Sequence, residues 1–298
     1  GAPGGGGGGA AVAGGQGGGS SSSLRRMTPE LLQEVCRERH MWGQPHLNTQ
    51  LYLNYKGFDA IEGLEDYVNV RSLHLGNNNI GAIEGIDRMS ELRSLSLEGN
   101  RIRAIENLDS NLELRHLNLE SNAIRCVGGL SHLRNLEQIN LARNSIALVE
   151  ELEGLRAVPN LVNIDVSHNQ LEATSGVVEF WSGFPAGLKV LRYHGNPGVR
   201  SIEHYRKRLV NALQGLTYLD ERPVFPVERR SCAAWAEGGM EAMHKVKRDF
   251  AAEQTRGQVA VDPERREFLT QMRRRAVARI EREAREREEA REAACQGP

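Results

Sequence analysis

Much of what a catalytic or metal-binding chain would carry is missing here. The four cysteines, Cys36, Cys126, Cys232 and Cys295, stand singly, with no C-x-x-C pair and no histidine at ligand spacing. That pattern argues against a zinc site and leaves reduced, unpaired thiols as the expected state. Lysine and arginine number 38 against 39 aspartate and glutamate, a formal net charge of -1, so no global field gathers nucleic acid. No run approaches the roughly 18 apolar residues of a membrane span. The glycine run at 4–9 follows no strand and precedes no helix, so it lacks the context of a phosphate-binding loop. No cofactor, metal, nucleic acid or membrane is expected as a partner.

What is present is self-similarity. The pattern L-x-x-L-x-L-x-x-N-x-I recurs at Val70/Leu73/Leu75/Asn78/Ile80, Leu92/Leu95/Leu97/Asn100/Ile102, Leu114/Leu117/Leu119/Asn122/Ile124 and Leu136/Ile139/Leu141/Asn144/Ile146. Two longer copies follow, Leu161/Ile164/Val166/Asn169/Leu171 and Leu188/Leu191/Tyr193/Asn196. Anchored on the first residue of each L-x-L, the series Leu51, Leu73, Leu95, Leu117, Ile139 advances by 22 residues, and Ile164 and Leu191 follow at 25 and 27. This is the signature of stacked leucine-rich coils, seven of them. The first has Lys56 where the asparagine belongs, as suits a coil that is half cap.

The period of 2 in L-x-L turns both apolar residues inward and the residue between them outward. One short strand per coil then pairs in parallel with the next. The expected fold is an α/β solenoid, a leucine-rich-repeat horseshoe with a parallel concave sheet, helical caps and a C-terminal helical extension. The asparagine sits where the chain turns inside the stack, and its amide is expected to bond backbone of its own and adjacent coils, since an unsatisfied group there costs about 1–3 kcal/mol. Apolar positions such as Ile80/Ile83/Ile86 and Ile102/Ile105/Leu108 are expected to fill the convex side under short helical turns.

No coil buries its apolar face alone, so both ends need covers. Thr28-Pro29-Glu30 reads as a helix start, with Leu31, Leu32 and Val35 as its apolar face. After Asn196-Pro197, the residues Ile202, Tyr205, Leu209 and Leu213 recur at helical spacing, and Leu216, Tyr218 and Leu219 are expected to close the array. The division is therefore 1–24, a Gly-rich disordered tail; 25–46, an N-terminal helical cap; 47–200, the repeats; 201–226, a C-terminal cap; 227–260, a helix interrupted at Gly238-Gly239; and 261–298, a charged helix. The last segment has a thin stripe, Leu269, Met272, Ala276, Ile280 and Ala284, which suits a solvated helix held by ion pairs or one that pairs with another protein. The chain begins without methionine and stops after this charged segment, as a piece of a longer protein would.

The outward residues are Tyr52, His74, Ser96, Asn118, Asn140, Asp165 and Arg192, one per coil, with Glu98, Glu120, Ser167 and His194 beside them. Such a polar, mixed-charge strip is either a solvated sheet or a partner-binding face, and solenoid curvature favours the second. The candidate partner contacts are Tyr52, His74, Glu98, Asn118, Glu120, Asn140, Asp165 and Arg192. His74, Ser96 and Asn118 occupy consecutive strands, but serine lies in the middle, where a triad needs its base, and no oxyanion donor is evident. Glu98 and Glu120 are read as solvated, because an open sheet gives no dry pocket to raise a carboxyl pKa. His74 and His116, two strands apart, are too distant to share zinc. Trp181 and Phe184 suit either core or a partner anchor.

The 22-residue coils with Asn-x-Ile and Ile-x-x-Ile resemble the subfamily of the nuclear leucine-rich-repeat regulator of protein phosphatase and the spliceosomal leucine-rich A-prime protein. More specific are Gly195-Asn196-Pro197, His204-Tyr205-Arg206, Leu216 through Asp220 and Glu221 through Pro226, with Ala234 through Gly239 and the early Leu51 through Phe58. Over about residues 25–255 these resemble the leucine-rich-repeat dynein axonemal assembly factors. The resemblance implies a non-enzymatic factor for cytoplasmic preassembly of axonemal dynein arms in motile cilia, partnered by axonemal dynein chains, chaperones and other assembly factors. It places the chain in cytoplasm and cilium and supplies no catalytic residue. The long connections at Val149–Pro159 and Thr174–Gly187 depart from the uniform period and put partner contacts there in doubt. The alternative, from another class, is a regulatory subunit that docks a protein phosphatase on the concave face. A monomer is expected.

Overall fold

The computed structural model describes residues 25–172 and 176–259, with side chains through Glu253; the Gly-rich tail and the charged segment 261–298 lie outside the described residues. The chain forms two compact units. One holds described residues 25–172 and Leu191–Ser201, the other 176–190 and 202–259.

In the first unit the repeats become seven three-residue strands: β1 (Gln50–Tyr52), β2 (Ser72–His74), β3 (Ser94–Ser96), β4 (His116–Asn118), β5 (Gln138–Asn140), β6 (Asn163–Asp165) and β7 (Val190–Arg192, of which Leu191 and Arg192 belong here). Pairing is parallel and in register, Leu51 opposite Leu73, Leu73 opposite Leu95, Leu95 opposite Leu117, Leu117 opposite Ile139 and Ile139 opposite Ile164. The ladder continues with Val166 N–H donating to the Arg192 carbonyl at 2.8 Å. Every anchor residue, with its partner two positions on, is buried.

The asparagines clamp coil to coil. Asn100 Nδ2 donates to Leu97 O of its own coil at 2.9 Å and to Leu75 O of the preceding coil at 3.0 Å, while its Oδ1 accepts Ile80 N–H at 3.1 Å. Asn122 repeats this on Leu119 O, Leu97 O and Ile102 N–H, and Asn144, Asn169 and Asn196 follow. In the first coil, which lacks the asparagine, Lys56 instead gives its N–H to Asn78 Oδ1 and its ammonium to Glu38 at 2.6 Å.

The residue before each ladder asparagine takes positive φ: Asn77, Gly99, Ser121, Arg143, His168 and Gly195. This left-handed step, which favours glycine, is met by glycine at only two of the six. The convex side differs from expectation. Ile80, Ile83, Ile86, Ile102, Ile105 and Leu108 are buried, yet the backbone over them runs in turns, and the one helical segment of coils two to five is the 3-10 stretch Val149–Leu155. With 22 residues to a coil, little chain remains after the strand and its turns for an α-helix.

At the front, α1 (Pro29–Glu38) starts at Thr28, whose hydroxyl accepts Leu31 N–H at 3.3 Å, with Pro29 in the first turn. Leu32, Val35 and Cys36 are its buried face, whereas Leu31 is half-buried. The arm before it bridges Arg25 to Phe58, extending the second line of backbone bonds that joins successive coils at Asn79 to Phe58 and Arg101 to Ile80.

The second unit is built differently. Helix α2 (Val177–Ser182) buries Phe180 and Trp181, and with Phe184 they form an aromatic cluster with ring centroids 4.9–5.5 Å apart. Trp181 and Phe184 are thus core, not anchors awaiting a partner. Helix α3 (Tyr205–Ala212) ends at carbonyls taken by Arg229, whose Nη1 donates to Val210 O at 2.9 Å and Leu213 O at 3.1 Å and whose Nη2 reaches Leu216 O. Arg206 on α3 in turn donates to Glu228 at 2.6 and 2.9 Å, to Leu219 O and to Pro223 O, bracing the two-stranded turn β8 (Tyr218–Leu219) and β9 (Arg222–Pro223). Leu216 and Leu219 are buried here, but Tyr218 is 38% exposed, contrary to its expected closing role.

The segment α4 (Pro226–Val259) is a hairpin of two helical arms. A straight helix would hold Arg230 and Phe250 about 30 Å apart, yet Arg230 lies 5.1 Å from the Phe250 ring and 3.7 Å from Glu253. The reversal is at Gly238-Gly239, where Gly239 adopts φ 68 and ψ -155, a conformation essentially reserved for glycine.

Candidate functional site

Because the strands have three residues around one buried centre, each coil shows two side chains on the same face. The row read from the sequence, Tyr52, His74, Ser96, Asn118, Asn140 and Asp165, is in register from strand to strand. A second row, Gln50, Ser72, Ser94, His116, Gln138 and Asn163, shares the face by the same period of 2; of these the sequence raises only His116, and only as a zinc candidate. At about 4.8 Å per strand the seven-strand face runs about 29 Å. A shallow trough of about 260 Å³ lies over its middle, lined among others by Ser94, His116, Gln138, Asn140, Asn163 and Arg192.

The face is pre-arranged by its own hydrogen bonds. Asn118 Oδ1 accepts Glu120 N–H and Asn140 Oδ1 accepts Ala142 N–H, two residues on in each case. Asp165 Oδ1 accepts both the N–H and the hydroxyl of Ser167. The freed amide hydrogens reach back one coil: Asn118 Nδ2 to Glu98 Oε2 and Asn140 Nδ2 to Glu120 Oε2, each 3.2 Å. Glu98 and Glu120 are therefore half-buried and hydrogen-bonded, a correction to their reading as solvated carboxylates. Glu120 also faces Arg143 at 3.5 Å, and Asp165 faces Arg192 at 3.7 Å.

At the other end the rings of Tyr52 and His74 stack at 4.7 Å, 10° from parallel. Burial pushes the His74 imidazole below its usual pKa, against an opposing pull from Glu98. Ser96 gives its hydroxyl to Glu98 Oε2 at 2.6 Å, not to His74, so the geometry arms no serine nucleophile. Among the described residues no group of three or more His, Cys, Asp or Glu gathers as a metal site would, and Cys36, Cys126 and Cys232 are free thiols. What the arrangement offers is an ordered polar surface with fixed donors and acceptors.

A leucine-rich-repeat family model matches residues 87–247, across repeats, cap and hairpin. The leucine-rich repeat-containing protein ODA7 of Chlamydomonas reinhardtii is 51% identical over 247 residues, 83% of this chain and 56% of that protein. Dynein axonemal assembly factor 1 of Mus musculus is 53% identical over 267 residues, 90% of this chain and 40% of that protein. The chain thus spans about two fifths to just over half the length of these relatives. Among solved structures, a leucine-rich-repeat protein of Leptospira interrogans aligns with a TM-score of 0.51 at 19% identity, covering 70% of this chain and 50% of that one, a likeness of fold alone.

Proposed function

Since the chain belongs to the leucine-rich-repeat family, and to its branch of dynein axonemal assembly factors, we propose that it is a non-enzymatic scaffold for preassembly of axonemal dynein arms in the cytoplasm of cells building motile cilia. The observation that carries the scaffold reading is the strand face, where side chains of successive coils lock one another in place and leave a continuous, ordered surface. Side chains already fixed lose little freedom on association, which favours a docking surface over a merely wetted one. Partner contacts are assigned to Tyr52, His74, Glu98, Asn118, Glu120, Asn140, Asp165 and Arg192. The dynein role comes from the names of the relatives.

Affinity capture with the full chain from ciliating cells tests the role. Axonemal dynein chains recovered with chaperones are the expected result; a phosphatase catalytic subunit without dyneins overturns it. Substituting Asp165 and Arg192 together by alanine should cut capture severalfold; because Asp165 accepts the N–H and hydroxyl of the buried Ser167, the same change should cost about 1–3 kcal/mol of stability, so capture is compared well below the unfolding transition of both chains. Unchanged capture moves the contact off this face.

A further inference from the structure

Charge is not answered evenly along the strand face. Glu120 meets Arg143 and Asp165 meets Arg192, but among the described residues no lysine or arginine stands against Glu98. This carboxylate is nonetheless held firmly. Its Oε2 accepts Ser96 Oγ at 2.6 Å and Asn118 Nδ2 at 3.2 Å. Its Oε1 lies over Gly76, where a Cβ would collide with it, so the absence of a side chain at Gly76 is what lets the carboxylate lie down on the sheet. One strand away stands the flat wall of His74 stacked on Tyr52. Burial favours the uncharged imidazole, so His74 is poorly suited to neutralise Glu98 itself.

A fixed, half-buried carboxylate with one oxygen unengaged, beside an aromatic wall, is complementary to a cationic side chain. The carboxylate supplies a charge-assisted hydrogen bond and the stacked rings supply a π surface. From this geometry we infer that Glu98, Gly76, Ser96, Asn118, His74 and Tyr52 form a seat for a single arginine or lysine side chain of the partner polypeptide. Arginine fits better, since its planar guanidinium can lie along the rings while donating to Glu98 Oε1. This inference rests on the reading of the strand face as a docking surface and adds the chemistry of what docks at its first three coils.

The test needs no dynein chain, so its failure and the failure of the assembly role are separable. The full chain, immobilised, is used to select binders from a phage-displayed library of random ten-residue peptides. Selected peptides should share an arginine or lysine at one position, and the same preference should survive Glu91→Gln, whose carboxylate already has Arg71 and which is not among the assigned contacts. Glu98→Gln and Gly76→Ala should both erase it. For a synthetic peptide from the selection, Glu98→Gln in the protein or arginine→citrulline in the peptide should each weaken binding about tenfold or more, and Tyr52→Leu about threefold. Superimposable thermal unfolding of the Glu98→Gln and wild-type chains verifies that the loss is local. A selection with no basic position, or one that Glu98→Gln leaves intact, overturns the seat.

Discussion

The two units of this chain solve one problem, how to satisfy backbone carbonyls that a turn leaves stranded, with different side chains. In the repeat unit a short asparagine reaches across about one coil spacing, and the same clamp is repeated at each turn of the stack. In the second unit nothing repeats, and two long arginines, Arg206 and Arg229, gather carbonyls from several segments at once. A neutral amide suits a repeating interior because it brings donor and acceptor without a charge to desolvate. A guanidinium suits a unique junction at the surface, where its charge can remain partly solvated and paired, as Arg206 is with Glu228.

That contrast can be broken first at the cores. Trp181→Ala, which opens the aromatic cluster of the second unit, should cost about 3–5 kcal/mol, and Leu97→Ala in the repeats about 2–5 kcal/mol, in denaturant unfolding. Equal and small losses from both would mean that neither site is packed as described. The clamps come next. Asn100→Ala and Arg229→Ala should each cost about 1–3 kcal/mol, but amide hydrogen exchange should rise in the coils beside residue 100 for the first and at the end of α3 for the second. Exchange that spreads identically in both variants would erase the distinction.

Acid sharpens it further. Hydrogen bonding to Arg206 holds the Glu228 carboxyl below the usual carboxylate range. Its contribution is full above the unfolded value near pH 4.3 and is lost as pH falls through the lowered folded value. Circular dichroism melts should show this acid loss in the wild-type chain and a reduced dependence in Glu228→Gln, while the amide clamps, which do not titrate, add no such slope. The smallest effect expected is a gain: Ser121→Gly relieves a left-handed residue and should raise stability by about 1 kcal/mol in the same unfolding measurement. A loss instead would show that Ser121 has a role beyond the turn.

Most of the repeat unit was legible from residues alone, because each coil is a local pattern written several times. The L-x-L register, the asparagine clamp and the front cap at Thr28 required only period and polarity. The left-handed residues before the asparagines were harder to see, since four of six are not glycine and the neighbours that hold them there are a coil away. The strand face was half legible. Alternation points to Tyr52, His74, Asn118, Asn140, Asp165 and Arg192, but it does not say that His116, Gln138 and Asn163 line the same trough or that Glu98 and Glu120 accept amides from the next strand. Their partners lie 20 residues or so away in sequence and one strand away in space.

The sequence by itself determined the solenoid, its coil count and its outward row, since a period-2 strand inside a 22-residue repeat can bury its leucines in only one way. Only the tertiary structure decided that Gly76 yields its space to Glu98, that Arg206 and Arg229 divide the carbonyls of the second unit, and that α4 folds back at Gly239. Each of these depends on which side chains from distant coils or arms arrive at one point, and periodicity carries no information about such meetings.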